Sequence, residues 1–167
     1  MSEAITIIPA KSEDLVDILA IQLAAFQEEA GIYHCHAIPP LRQTLADLQQ
    51  EFTAKTFLKA VQGTRIVGSV RAGFDGQTVA VEKLAVVPSM QNQGIATRLL
   101  SAVEEAFPAA IRWELFTGRL SVKNLYLYHK LGYREFKTQI AGPIELVYLE
   151  KYRKPSSGDN YTPFQAS

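Results

Sequence analysis

The stretch that decides the fold covers residues 80–107 and reads AVEKLAVVPSMQNQGIATRLLSAVEEAF. It begins as an extended apolar run, is interrupted at Pro88, and passes through a polar turn that contains one glycine, Gly94. Apolar residues then recur at every fourth position, at Ile95, Leu99, Val103 and Phe107. Because this spacing puts side chains on one face of a helix, the stretch predicts a strand, a glycine turn and an amphipathic helix.

The turn between the strand and the helix has the spacing Q-x-x-G-x-A, supplied by Gln91, Gly94 and Ala96. The first turn of a helix has unpaired backbone N–H groups and a partial positive charge, so the turn predicts a phosphate-binding site. Gly94 has no Cβ and permits close approach of a ligand. The chain has neither a Gly-Lys pair nor a G-x-G-x-x-G run, which excludes two other phosphate loops. Taken alone, the turn is equally compatible with a purely structural strand-turn-helix unit.

Two segments resemble a known family. Residues 84–100, LAVVPSMQNQGIATRLL, resemble the acyl-CoA-binding motif of the GNAT N-acetyltransferase superfamily, Q/R-x-x-G-x-G/A after a strand that ends L-x-V-x-P. Residues 121–133, SVKNLYLYHKLGY, resemble the closing helix and turn of that family, N-x-x-x-Y-x-K-x-G-F/Y. The matching positions are Leu84, Val86, Pro88, Gln91, Gly94 and Ala96 in the first motif and Asn124, Tyr128, Lys130, Gly132 and Tyr133 in the second.

The resemblance implies an α+β fold with three layers (α/β/α), in which helices flank a mixed, mostly antiparallel central sheet. The GNAT domain is expected over residues 1–152, and the turn-rich tail, 153–167, is expected to be loose. Periodicity predicts a first helix that begins near Ser12 and ends at Gly31, and one further helix that carries Leu41, Leu45, Leu48 and Phe52. Strands are predicted over 4–9, 55–61, 65–74, 78–87, 111–117, 134–139 and 144–152.

Composition excludes several other classes of protein. Lys plus Arg equals Asp plus Glu at 17 each, so no overall charge favours nucleic acid or an anionic membrane. No apolar run is long enough to span a bilayer, and the first residues lack a secretory pattern. The single cysteine, Cys35, cannot form an internal disulfide, which fits a reducing compartment. We therefore expect a cytoplasmic protein without nucleic-acid or membrane partners, and a homodimer is left open.

Acetyl transfer to an amine requires the unprotonated amine, so a carboxylate that removes a proton is expected. Strict alternation along the strand would put Ala80, Glu82, Leu84 and Val86 on one face. Glu82 is then the carboxylate best placed to face the cleft, and we predict that it is the catalytic base. The alternative is a structural carboxylate paired with a neighbour such as Arg71 or Lys83.

The leaving thiolate requires a proton donor, and a phenol stays protonated at neutral pH. Tyr128 matches the family tyrosine that acts as this acid, although its helical spacing also suits a core aromatic residue. The resemblance further implies that acetyl-CoA is the acyl donor and that it binds to Leu84, Ala85, Val86, Gln91, Asn92, Gln93, Gly94, Ile95, Ala96, Thr97 and Asn124. The length of the acyl chain is left open.

The acceptor site is expected between residues 26 and 41, where the family places the acceptor wall. Charged and aromatic side chains there can recognise a cationic amine: Glu28, Glu29, Tyr33, His34 and His36. No metal is predicted, because the sequence His-Cys-His at 34–36 lacks further ligands. The sequence thus predicts an acetyl-CoA-dependent N-acetyltransferase that acts on a primary amine of a small molecule or peptide. A catalytically silent CoA-binding sensor or scaffold is the alternative.

Overall fold

The computed structural model describes residues 3–154, in which strands and helices follow the predicted order. The strands are β1 (Ile5–Pro9), β2 (Thr56–Gln62), β3 (Arg65–Phe74), β4 (Thr78–Val86), β5 (Arg112–Gly118), β6 (Arg134–Ala141) and β7 (Ile144–Tyr152). The helices are α1 (Leu15–Tyr33), α2 (Pro39–Arg42), α3 (Leu45–Phe52), α4 (Ile95–Ala106) and α5 (Val122–Lys130), with short 3-10 turns at Ser12–Asp14 and Pro88–Met90.

The strands form one sheet in the order β1-β2-β3-β4-β5-β7-β6. Every neighbouring pair is antiparallel except β4 and β5, which are parallel because helix α4 crosses over between them. Helix α1 packs on β3 and β4, and α4 packs on β2, β3 and β4. Val70 belongs to the core beneath α4, whereas its neighbour Arg71 contacts Gln22 of α1. Since successive strand residues point to opposite faces, the helices cover both faces of the sheet, and the predicted three-layer α+β fold is confirmed.

Strands β4 and β5 are paired over only a short length. The ladder joins Thr78 to Arg112, Val79 to Trp113 and Ala80 to Glu114, and it goes no further. Beyond Ala80 the two strands diverge in the middle of the sheet. Among the described residues, no strand pairs with the backbone groups that face this opening.

The predicted alternation along β4 is wrong beyond Glu82. Arg71 lies opposite Glu82 and Ser69 lies opposite Ala85, so β4 uses three residues where β3 uses two. Lys83 adopts a left-handed backbone conformation, with φ of 53°, and this absorbs the extra residue as a β-bulge. Glu82 therefore shares a face with Ala85 rather than with Leu84 and Val86.

The boundaries of the first helix and of the next one differ from the prediction. Helix α1 continues through Gly31 to Tyr33 and ends at His34, whose φ is 51°. A glycine inside a helix costs only about 1 kcal/mol relative to alanine, and packing around buried Ala30 offsets that cost. The second predicted helix is two helices, α2 and α3, because Gln43 is extended and Thr44 begins a new helix by accepting a hydrogen bond from the Asp47 N–H.

The residue that follows β7, Arg153, contacts the segment between α4 and β5. Arg153 donates hydrogen bonds to the carbonyls of Ala110 and Phe107 at 2.7 and 2.9 Å, and its guanidinium lies 4.8 Å from the Trp113 ring centroid. The rest of the predicted loose tail, 155–167, lies outside the described residues. No helix between residues 3 and 154 has the length and apolar character needed to cross a membrane.

Candidate active site

The divergence of β4 and β5 opens a cavity of about 590 Å³. One wall is the C-terminal half of α1, a second is the end of β4 with the glycine turn and the start of α4, and the third is the segment that enters α5. The second and third walls contain the predicted CoA-binding residues Leu84, Ala85, Val86, Gln91, Asn92, Gly94, Ile95, Ala96, Thr97 and Asn124. Gln93 is the one predicted CoA-binding residue outside the lining.

The glycine turn presents unpaired N–H groups to the cavity. The first helical hydrogen bond of α4 runs from the Arg98 N–H to the Gly94 carbonyl at 3.1 Å, so the preceding amides, 95–97, have no helical acceptor. Gly94 has φ of 81°, and a Cβ placed there would meet no atom within 4 Å. The Gln91 side chain donates to the Val86 carbonyl at 3.3 Å and so holds the turn against β4. The arrangement suits an anionic group at the start of the helix.

The two predicted catalytic residues lie behind the cavity lining. Glu82 is on the face that α1 and α3 cover, and its carboxylate forms an ion pair with Lys55 at 2.6 Å. The predicted alternative, pairing with a neighbouring cation, therefore describes its contact correctly, although the partner is Lys55. Tyr128 is buried on α5, with its ring centroid 6.2 Å from that of Tyr133.

The electrostatics of Tyr128 keep its hydroxyl protonated. Burial raises the pKa of Tyr128, and the negative charge of Glu29 raises it further. Tyr128 therefore carries a neutral phenol at physiological pH, on the helix whose residues Asn124, Tyr126 and Leu127 line the cavity.

Glu29 is the carboxylate that sequence reasoning failed to single out. It lies in the α1 wall of the cavity and accepts a hydrogen bond from the hydroxyl of buried Ser121. Burial raises the pKa of Glu29, the Ser121 hydrogen bond offsets part of the increase, and the negative charge of Glu28 adds to it. The two residues are separated by 92 positions in the chain, so no local pattern connects them.

The other predicted acceptor residues have separate roles. Glu28 also lines the cavity, and it pairs with Lys123 at 3.6 Å on exposed surface. The Tyr33 hydroxyl accepts a hydrogen bond from the Leu120 N–H at 2.8 Å, which ties the end of α1 to the loop before α5. His34 ends α1, and neither it nor His36 lines the cavity.

A buried polar cluster supports the α1 wall from the sheet side. Fully buried Arg71 donates to Glu51 at 2.6 Å, to Gln43 at 3.0 Å and to Gln22, and thereby joins β3 to α1 and α3. Burial alone would raise the pKa of Glu51, but the hydrogen bond from Gln43 and the charge of Arg71 outweigh it and lower the pKa. The cluster fixes the position of α1 against β3.

Comparisons with known proteins agree with the fold and the turn. Residues 53–135 match the family described as acetyltransferase (GNAT) domain. "Acetyltransferase YE1169" of Yersinia enterocolitica is 29% identical over 140 residues, which cover 81% of this chain and 99% of that protein. A solved structure of PaiA N-acetyltransferase from Thermoplasma acidophilum with coenzyme A superposes with a TM-score of 0.77 at 15% identity, over 90% of this chain and 99% of that one.

A second solved structure is similar in the same way. The GNAT family acetyltransferase of Elizabethkingia anophelis with acetyl-CoA bound has a TM-score of 0.64 and 21% identity, over 89% of this chain and 98% of that one. The sheet topology, the family match and these likenesses define one class of protein. The chain belongs to the GNAT superfamily of acetyltransferases, as its two motifs predicted.

Proposed function

We propose that the protein transfers the acetyl group of acetyl-CoA to a primary amine of a small molecule or peptide, by direct attack while both substrates are bound. The observation that carries the proposal is the convergence of the predicted CoA-binding residues on one cavity. That cavity has helix N–H groups at one side and a carboxylate with a neighbouring phenol at the other. A cytoplasmic location is part of the proposal.

The donor half of the site is supported by backbone geometry. The free amides at the start of α4 are suited to the pyrophosphate of CoA. The edge of β4 at 84–86 lines the cavity without a β5 partner, so its backbone groups can bind the pantetheine arm and polarise the thioester carbonyl. The Asn124 side chain donates to the Thr117 hydroxyl at 3.2 Å, which leaves its carbonyl oxygen for the same arm. The relatives solved with coenzyme A and with acetyl-CoA support this assignment.

The reaction needs one proton removed before attack and one delivered afterwards. An alkylamine with a pKa of about 10.4 is roughly 3.4 units from its free base at pH 7, which corresponds to about 4.6 kcal/mol. The neutral nitrogen attacks the thioester carbon, the C–N bond forms and the C–S bond breaks. Tyr128 donates its proton to the sulfur, and the second proton of the attacking nitrogen replaces it. The predicted base, Glu82, is ion-paired with Lys55 outside the cavity lining, and its role stays a prediction.

The test combines ligand stabilisation with product formation. Acetyl-CoA should raise the melting temperature, and incubation with a panel of primary amines should release free CoA thiol. Gly94→Val should abolish the stabilisation, because a β-branched side chain at a φ of 81° fills the turn or forces it to move. Gly76→Val is the matched control, since Gly76 has φ of 99° and open surroundings in a hairpin remote from the cavity.

The outcomes separate the alternatives. An unchanged stabilisation in folded Gly94→Val would remove the turn from the proposed CoA site. Stabilisation of the wild-type protein without thiol release from any amine would favour the silent CoA sensor.

A further inference from the structure

We propose that Glu29 receives the acceptor amine, holds its ammonium group beside the thioester and takes its proton, so that the acceptor class is a primary alkylammonium carried on an apolar body. The proposal rests on the proposed acetyl transfer for its chemistry. Its binding step can be tested without that reaction.

The position of Glu29 in the cavity supports the proposal. It lies on α1 across the cavity from the β4 edge at 84–86, where the thioester is proposed to bind. Its hydrogen-bond partner, Ser121, opens the helix that carries Tyr128. A group held at Glu29 therefore shares one cavity with the proposed oxyanion donors at 84–86 and lies near the start of the helix that carries the proposed acid.

Glu29 differs from other carboxylates of the fold in its lack of a cationic partner among residues 3–154. Within residues 3–154, the other buried or half-buried carboxylates near the cavity have cations: Glu51 has Arg71, and Glu82 has Lys55. Glu29 has only a neutral hydroxyl. A carboxylate removed from water without a cation is unfavourable, and a bound ammonium group would supply the cation.

The charged groups around Glu29 are compatible with its binding the ammonium group of the acceptor. On its own helix, Glu28 is next to it and is paired with Lys123 of α5 at 3.6 Å. On α5, Tyr128 is buried and neutral, and Lys123 is paired with Glu28. Lys130 is an exposed residue of the cavity lining and forms no ion pair with Glu29 among residues 3–154. From β4 the wall is formed by 84–86, which carry no charge. An arriving ammonium therefore meets one exposed, already paired carboxylate and one enclosed, unpaired one.

The apolar neighbours of Glu29 define the rest of the acceptor. Phe26 and Ile32 lie one helical turn to either side of it on α1 and line the same cavity, and Leu120 faces them from the loop before α5. Ile32 and Leu120 are exposed large hydrophobic residues, at 40% and 55%. An amine on an aliphatic or aromatic body would cover them, whereas a polyamine would not.

The proton that Glu29 takes from the acceptor is released again in the same catalytic cycle. The ammonium nitrogen gives one proton to the Glu29 carboxylate and becomes the neutral nucleophile. After the amide leaves, Glu29 returns that proton to water. Raising the pKa of a carboxylate toward neutrality improves it as a base, and burial acts on Glu29 in this direction.

The binding test uses free CoA, which has no acetyl group to transfer. Phenethylamine and the uncharged 2-phenylethanol are titrated by calorimetry into the protein saturated with CoA. We expect the amine to bind more tightly than the alcohol, and Glu29→Gln to weaken amine binding by about 10- to 100-fold while leaving alcohol binding unchanged. Glu105→Gln makes the same change at an exposed position of α4 outside the cavity lining and should alter amine binding by less than about threefold.

The kinetic test uses acetyl-CoA and phenethylamine across the pH range. Glu29→Gln should lower kcat/KM for the amine by about 10²-fold and abolish the acidic limb of the profile. Ser121→Ala should move that limb to higher pH, because it removes a hydrogen bond that favours the charged carboxylate. A residue that merely ties α1 to α5 would produce neither change.

The results distinguish the two proposals. Equal amine affinity in wild type and Glu29→Gln overturns the assignment of Glu29, even if acetyl transfer proceeds. Loss of the acidic limb in Glu82→Gln, with the limb intact in Glu29→Gln, also overturns it. Selective amine binding through Glu29 without thiol release supports this inference and contradicts the proposed function.

Discussion

Glu51 and Glu29 are two partly buried carboxylates on neighbouring helices, and their surroundings shift their pKa values in opposite directions. Glu51 has Arg71 and Gln43 within hydrogen-bond distance, and its pKa is lowered despite burial. Glu29 has only the Ser121 hydroxyl as a hydrogen-bond partner within residues 3–154, and burial raises its pKa. Burial is common to both, so the presence or absence of a cation decides the direction.

The difference indicates two uses of buried charge. The Arg71 cluster is closed by protein groups and therefore fixes α1 and α3 on the sheet. The carboxylate of Glu29 has no cationic partner among residues 3–154, which is why we propose that a ligand supplies one. Substitutions that remove a charge or a proton donor from either region test this difference.

The largest effect is expected when the ion pair between Glu51 and Arg71 is broken. Glu51→Gln leaves the charge of fully buried Arg71 without its nearest anion, so the free energy of unfolding should fall by about 3 kcal/mol. Urea denaturation at neutral pH measures the change. Adding Arg71→Met to the variant should restore part of the loss, and a loss below about 1 kcal/mol would show that Arg71 does not depend on Glu51.

The next largest effect is expected on turnover when the phenol hydroxyl of Tyr128 is removed. Tyr128→Phe keeps the buried ring and removes the one O–H donor, so kcat should fall by about 10- to 100-fold, at the low end of general-acid effects. Affinity for acetyl-CoA should be unchanged, because the proton is needed as charge develops on sulfur. Steady-state kinetics beside calorimetric binding provide the measurement. Wild-type turnover would leave Tyr128 as a core residue.

Removing the charge of Glu29 should raise the free energy of unfolding, whereas removing that of Glu51 should lower it. Its raised pKa means that the folded state holds the proton more tightly, so the cost of the charge appears as pH rises above about 4.5 through the raised pKa. Glu29→Gln should therefore stabilise the neutral-pH protein by roughly half a kcal/mol, with no gain at acid pH. Unfolding curves at both pH values test this, and a destabilised variant would count against an unpaired carboxylate.

A change in stability of similarly small size is expected at Glu82. Its side chain and that of Lys55 are each 26% exposed, so Glu82→Gln should change the free energy of unfolding by less than about 1 kcal/mol. Its pH–rate profile should keep the acidic limb that we assign to Glu29. A loss of turnover confined to acid pH would instead support the sequence-based prediction for Glu82.

Local patterns in the sequence predicted the fold well, and ten of the eleven predicted CoA-binding residues line one cavity. The amphipathic helix after the glycine turn begins and ends where it was predicted, at Ile95 and Ala106–Phe107, because apolar spacing decides it. The β-bulge at Lys83 was missed, since a left-handed lysine interrupts alternation without any residue that signals it. The residue roles themselves stay predictions.

The acceptor half could not be predicted, because its contacts are long-range. The hydrogen bond of Glu29 joins positions 92 residues apart, and the contact of Arg71 with Gln22 spans 49. The continuation of α1 past Gly31 was also missed, because a helix-terminating preference there is weaker than tertiary packing. Five polar residues were plausible from position alone, and only the three-dimensional arrangement separates Glu29 from the other four.

The short ladder between β4 and β5 has a consequence for amide hydrogen exchange. In most sheets the central strands exchange most slowly and the edges fastest. Here the β5-facing N–H groups of β4 beyond Ala80 are open in the middle of the sheet, while the antiparallel ladder of β7 with β5 is continuous over Arg112–Gly118. Exchange should therefore be fast at a central position and slow toward one side, and any ligand that bonds along β4 would restore the usual order.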